Sequence, residues 1–218
     1  SVLLGDYWLV KAMDNILASS AHGNEVIRIF SKTLSSLAEG EMLQLQKASS
    51  GDTEEEDYFR IIYSKTASLF ESTCVSAAIS VNAPEAWVEA VRNYAVSLGI
   101  AFQIKDDIFD YTGGKKIGKP VGIDLEEQKI TLPLLGALES ASDERASHIR
   151  NMLLNIQEHP EYKEDIVAFV KEEKGIEYAV SRLDEYVAKA VGALATLPDS
   201  REKDYLVKIA EFTAYRDK

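Results

Sequence analysis

The sequence predicts an all-helical fold, a bundle of antiparallel neighbours joined by short links. Three observations predict it. Leucine, alanine, isoleucine, valine and glutamate dominate the 218 residues, while glycine (12) and proline (5) are sparse. Apolar residues recur at helical spacing along most of the chain. No stretch shows the apolar–polar alternation of a half-buried strand. The length suits one domain with one good core. The formal net charge is −12, so a nucleic-acid partner is not expected, because phosphate backbones require a basic face. A diphosphate remains admissible where charge is organised locally. The single cysteine, Cys74, sits among small apolar residues and reads as a core thiol rather than a nucleophile. No disulfide can form within the chain. No signal peptide is expected, and these residues contain no uncharged apolar run of about eighteen residues. A soluble cytoplasmic protein is expected.

Taken in order, residues 1–18 predict a helix, with Leu4, Trp8, Ala12 and Ile16 near one face. Residues 20–24 are a break, and Asn24 is expected to cap a helix over 25–47. Near the end of that helix, Glu41 and Gln44 share one side. Residues 49–56 form an acidic loop, in which Thr53 and Glu56 predict a capping box for a helix over 54–81. Lys65-Thr66 lies inside that helix, where a lysine either snorkels or serves a site. Asn82-Ala83-Pro84 breaks the pattern, and Pro84 opens a helix to Tyr111. Trp87 on that helix reads as core or interface.

The end of the last helix is the most informative stretch. Leu98, Ile100, Ala101, Phe102, Ile104, Ile108 and Phe109 leave almost no polar face, so this helix should be buried on most sides. Gln103, Asp106, Asp107 and Asp110 are set into it. The three aspartates can share one rim, where unpaired like charges are costly to bury. A cation on that rim relieves the cost, and oxygen-only ligands suit a hard ion such as magnesium. Gly113-Gly114 should stop the helix. Lys115, Lys116, Lys119, Asp124 and Lys129 then alternate around a glycine-rich turn, before Thr131-Leu132-Pro133 starts a new helix. Carboxylates and ammonium groups around a flexible turn fit a phosphate or diphosphate held partly through metal and partly directly. The alternative is a solvated loop beside an acidic helix end. After Pro133 the chain reads as scaffold. A short helix continues to Leu138, an acidic link follows at 142–144, and a break falls at His159-Pro160. Helices are expected over 162–174, 176–195 and 202–215, with Gly175 ending the first and Leu197-Pro198-Asp199-Ser200 turning before the last.

The motifs resemble those of the trans-prenyltransferases, the polyprenyl diphosphate synthase family. DDxxD is Asp106-Asp107-Ile108-Phe109-Asp110, with Phe102-Gln103 before it. GKxxGxD is Gly118-Lys119-Pro120-Val121-Gly122-Ile123-Asp124, and KxTLP is Lys129-Ile130-Thr131-Leu132-Pro133. Upstream, Leu3-Leu4-Gly5-Asp6-Tyr7 resembles the family's LLGDY segment, Gly40 to Gln44 its GExxQ motif, and Lys65-Thr66 its KT pair. The tail from Ala193 to Ser200 resembles ALxxLPxS and leans toward medium- or long-chain synthases.

The resemblance implies an isoprenoid synthase-type bundle around a deep central cavity, usually a homodimer. It implies condensation of an allylic diphosphate with isopentenyl diphosphate. Asp106, Asp107 and Asp110 would bind magnesium. Lys65, Lys119 and Lys129 would bind the allylic diphosphate. Thr66 and Gln103 would support orientation at the reacting end. Glu41 and Gln44 would line the diphosphate cavity, and Asp124 would hold Lys119 or a metal-bound water. The family's first aspartate-rich motif and the arginines after it are missing from these residues. They would belong to an N-terminal region preceding Ser1, so residues 1–218 are expected to form one helical domain without its N-terminal helices, weak or inactive alone. Rival readings are a terpene cyclase of the same fold, a non-catalytic subunit of a heteromeric synthase, and a helical interaction module.

Overall fold

The computed structural model describes residues 2–19, 21–113 and 121–216. The elements are α1 (Val2–Leu17), α2 (Gly23–Ser50), α3 (Glu55–Ile62), a π-helical turn (Tyr63–Ala67), α4 (Ser68–Ser80) and α5 (Glu85–Thr112). They continue as α6 (Ile123–Glu126), α7 (Leu132–Ser140), α8 (Asp143–Leu154), α9 (Tyr162–Glu172), α10 (Gly175–Ala193), a short 3-10 turn (Leu194–Thr196) and α11 (Arg201–Tyr215). Among the described residues there is no strand, as the absence of alternation predicts.

The apolar helix is central. α5 packs against α10 and α4, and also meets the π turn and α11. Tyr94, Ala95, Leu98, Ala101, Ile104 and Ile108 on α5 are buried in the main core. Each large aliphatic side chain of this kind contributes roughly 1.5–3 kcal/mol. The Tyr94 hydroxyl donates to the carbonyl of Leu206 at 2.8 Å, tying α5 to α11. By contrast, α1 buries no residue; Leu3 is 83% and Trp8 66% exposed. Among the described residues, no helix is long and apolar enough to cross a membrane.

Several local expectations shift. Asn24 is not the cap of α2: His22 occupies that position, and Asn24 lies within the first turn. The capping box before α3 falls one residue later than Thr53–Glu56. Glu54 is the cap, and its N–H donates to the Asp57 carboxylate at 3.1 Å. Asp57 wins this position because Lys47 on α2 holds it at 2.8 Å. The long helix over 54–81 is interrupted at 63–67, where the backbone widens into the π turn. Gly175 does not end α9. Lys174 takes the left-handed conformation (φ 58°) and Gly175 opens α10, where a Cβ would lie 2.0 Å from the carbonyl oxygen of Pro133. Trp87 is 38% exposed, so it is not core.

Cys74 is half-buried against the core, and burial pushes its thiol pKa up, as for a packing thiol. Cys74→Ser is expected to cost about 1–3 kcal/mol through a partly buried hydroxyl, read as a lower melting temperature, with turnover within twofold. A large loss of turnover at unchanged melting would contradict the packing role.

Candidate functional site

One open cleft gathers side chains from α2, α3, the π turn, α5, α6 and the segment after α6. Gln44, Lys65, Gln103, Asp107, Asp124 and Lys129 all line it. These six were candidates on sequence grounds, and their separation along the chain makes the convergence informative.

The π turn sets the first group. Gly40 on α2 approaches it closely; a Cβ there would lie 2.7 Å from Cβ of Ser64. Gly99 on α5 approaches from the other side, with Ala67 Cα at 2.6 Å from such a Cβ. Squeezed between two glycines, the turn projects Lys65 toward α2 and Thr66 toward α5. Lys65 Nζ lies 2.8 Å from Glu41 Oε2 and donates to Gln44 Oε1 at 3.0 Å. Thr66 Oγ1 donates to Gln103 Oε1 at 2.9 Å. Such π turns are often found at functional sites.

The three aspartates have separate surroundings. Asp107 is 3% exposed, and both its oxygens accept hydrogen bonds, from Tyr58 Oη at 2.7 Å and from Gln103 Nε2 at 2.9 Å. Burial pushes its carboxyl up to about 7, and the charge of Asp124 acts in the same direction; the Tyr58 and Gln103 bonds oppose this. Asp110 is half-buried. It accepts the backbone N–H groups of Ile123 at 3.0 Å and Asp124 at 3.2 Å. Burial, then Asp124, raises its pKa. Asp106 is 37% exposed at the side chain and is paired with Arg216, whose guanidinium also sits 4.2 Å above the Phe102 ring.

Asp110 thereby anchors the chain after the glycine turn. Gly122 is left-handed (φ 76°), and its N–H donates to the Asp110 carbonyl at 2.9 Å. This closes the short helix α6, which the sequence did not reveal. α6 in turn places Asp124 3.4 Å from Lys129 Nζ. Lys129 also bonds Glu127. Burial lowers the Lys129 pKa, but these two carboxylates outweigh it and the net shift is upward, so the ammonium is retained. Lys119, with Lys115 and Lys116, lies outside the described residues.

The described residues place no three His, Cys, Asp or Glu side chains so as to share one metal ion. The donor chemistry nevertheless fits magnesium, which commonly takes one or two carboxylates and completes its shell with water and substrate phosphates. Asp106 is more open than the buried Asp107. A carboxylate offers about four lone-pair sites, so Arg216 and a cation can share it.

Sequence reasoning missed Tyr58, Arg216, Lys47 and Thr131. Tyr58 lies on an apolar-faced helix, where an aromatic reads as core, and its partner is 49 residues away. Arg216 meets Asp106 across 110 residues, with no local pattern to mark it.

The polyprenyl synthetase family profile matches residues 1–170. An octaprenyl diphosphate synthase of Haemophilus influenzae is 37% identical over 218 residues, covering 100% of this chain and 65% of that protein. A decaprenyl diphosphate synthase from Rhodobacter capsulatus superimposes with a TM-score of 0.89 at 32% identity, covering 100% of this chain and 66% of that one. A polyprenyl synthase from Caulobacter crescentus, complexed with calcium and isoprenyl diphosphate, gives a TM-score of 0.89 at 29% identity, over 100% of this chain and 66% of that one. The chain thus spans just under two thirds of the length of each.

Proposed function

Because the chain belongs to the polyprenyl synthetase family and has its all-helical isoprenoid synthase-type fold, we propose that the protein of which it forms this part condenses an allylic diphosphate with isopentenyl diphosphate. The product is a longer trans-polyprenyl diphosphate, and diphosphate is released. The observation that carries this reading is the convergence of Lys65, Gln103 and Lys129 on one cleft, beside Asp107 and Asp124. The reaction breaks the allylic carbon–oxygen bond, forms a carbon–carbon bond to isopentenyl diphosphate, and passes the lost proton to the released diphosphate. No side-chain base is required.

Each chemical demand has residues to meet it. The leaving diphosphate gathers negative charge, which the ammonium groups of Lys65 and Lys129 counter. Lys119 joins them in this assignment. Glu41 and Gln44 hold Lys65 at the mouth until substrate arrives, and Asp124 does the same for Lys129. Thr66 and Gln103 orient the reacting end. Ile61, Ile62 and Ile130 supply apolar wall to the cleft, which keeps water from the allylic cation. Asp106 would hold magnesium, while Asp107 turns to Tyr58 and Gln103 and Asp110 to the backbone of α6. Bound there, the ion would neutralise charge on the departing diphosphate. The calcium and isoprenyl diphosphate of the Caulobacter structure support a divalent cation and a diphosphate as ligands. The relatives' octaprenyl and decaprenyl products support a medium- or long-chain product. The same reading makes the protein a cytoplasmic homodimer.

Magnesium should therefore control affinity. Titration calorimetry with an unreactive allylic diphosphate analogue is expected to show binding at least tenfold tighter in magnesium than in chelator. Equal affinity in both would sink the metal assignment.

A further inference from the structure

Four polar side chains form one unbroken chain, and three of them, Tyr58, Gln103 and Asp107, line the cleft. Thr66 Oγ1 donates to Gln103 Oε1 at 2.9 Å, Gln103 Nε2 donates to Asp107 Oδ1 at 2.9 Å, and Tyr58 Oη donates to Asp107 Oδ2 at 2.7 Å. The chain joins α3, the π turn and α5. Its direction is fixed by donor accounting. Tyr58 Oη and Gln103 Nε2 are the donors here, since a phenol and an amide NH₂ can both donate to a carboxylate. Asp107 is therefore the common acceptor of Tyr58 and Gln103, while Thr66 donates to Gln103. The Gln103 amide must turn its nitrogen to Asp107 and its oxygen to Thr66.

Burial makes this arrangement stiff. Tyr58 and Asp107 are each 3% exposed. A buried carboxylate with one oxygen unpartnered would draw other donors toward itself. Gln103 is the flexible neighbour within reach, and it also lines the cleft. Tyr58 occupies Oδ2, so Oδ1 alone is left for Gln103, and the amide has one orientation. Each Asp107 oxygen then accepts one hydrogen bond within the protein.

We infer that Tyr58, acting through Asp107, is a positioning residue that fixes the Gln103 amide against the reacting end of the substrate. Asp107 serves as the hub of this chain. The inference rests on the prenyltransferase reading above. The Tyr58 hydroxyl is committed to Asp107, so its removal should act on the rate and leave the metal-dependent contacts at Asp106, Lys65 and Lys129 in place.

The test uses Tyr58→Phe in the full-length protein, which keeps the ring and its packing. Turnover is expected to fall about tenfold to a hundredfold, the usual effect of losing a partner that orients a functional group. KM for the allylic diphosphate should stay within threefold. Calorimetric affinity for the unreactive allylic analogue, and the magnesium concentration for half-saturation, should also stay within threefold. A second variant separates positioning from packing. Thr66→Val should lower turnover, and the double variant Tyr58→Phe/Thr66→Val should be little worse than the more impaired single variant, because both act through Gln103. Multiplied effects would place Tyr58 outside the chain and overturn the inference, as would Tyr58→Phe turnover within twofold of wild type. Equal losses in turnover and in magnesium-dependent affinity would also overturn it, by showing a general loosening of the cleft. If the wild-type protein neither binds the analogue nor condenses the two diphosphates, the prenyltransferase reading fails and takes this inference with it. If wild type does both, only the Tyr58 results bear on the inference.

Discussion

Lys65→Ala in the full-length protein is expected to lower turnover by about a hundredfold to a thousandfold, the effect of removing one preorganised charge contact from a developing anion. The ammonium is half-buried at the lip of the cleft and is held by Glu41 at 2.8 Å and Gln44 at 3.0 Å. The pair should add little to the fold, because an ion pair at the surface contributes only about 0–1 kcal/mol. Melting should therefore change by little. The charge matters when carbon–oxygen cleavage moves electrons onto the diphosphate, since the contact strengthens as the bond breaks. Turnover should thus fall more steeply than analogue affinity. Lys65→Arg should recover only part of the rate, because a planar guanidinium on this turn cannot place a compact charge at the same point. A reading in which Lys65 merely snorkels along α2 predicts unchanged rates. Steady-state kinetics with both diphosphates varied, alongside a thermal melt, decides between them, and wild-type rates in Lys65→Ala would remove the π turn from the site.

The gross fold was legible because it depends on local signals. Apolar periodicity and breaks at 20–24, 82–84 and 159–160 delimit most of the helices; the exceptions are the interruption at 63–67 and α8, which begins where 142–144 reads as an acidic link. The lysines and carboxylates of the cleft were also legible, since Lys65, Gln103 and Lys129 sit in ordered motifs. What depends on distant contacts was not. The π turn at 63–67 has no signature of its own, because it follows from how closely Gly40 and Gly99 let α2 and α5 approach. Spacing put three aspartates on one rim. It could not show that Asp107 turns inward to Tyr58, Asp110 to the amides of α6, and Asp106 outward to Arg216. Helical periodicity reports which face a residue occupies; the donors waiting on other helices decide what its carboxylate does.

Gly99→Val is expected to be the most damaging single change to the fold. A Cβ at this position would lie 2.6 Å from Ala67 Cα and 2.8 Å from Ala67 Cβ. Ala67 is wholly buried at the end of the π turn, so neither backbone can give way by rotating a side chain. α5 would have to move off the turn, opening the core where Leu98 and Ala101 pack. Overpacking of this kind typically costs about 1–3 kcal/mol and occasionally more; a backbone-to-backbone clash belongs at the upper end. For a domain of this size that is a fall of roughly 6–12 °C in melting temperature. The site should suffer with the fold, because Thr66 on the turn and Gln103 on α5 face each other across the displaced contact. Any folded fraction should therefore have lost turnover beyond what its melting predicts. Gly192→Ala supplies the control. Nothing lies within 4 Å of a Cβ there, and the position is inside α10. Alanine should be neutral or stabilise by up to about 1 kcal/mol through helix propensity alone. Differential scanning fluorimetry on both variants measures the contrast. Melting of Gly99→Val within 2 °C of wild type would show that the helix–turn contact is looser than its geometry implies, and the account of why the turn widens at Lys65 would fall with it.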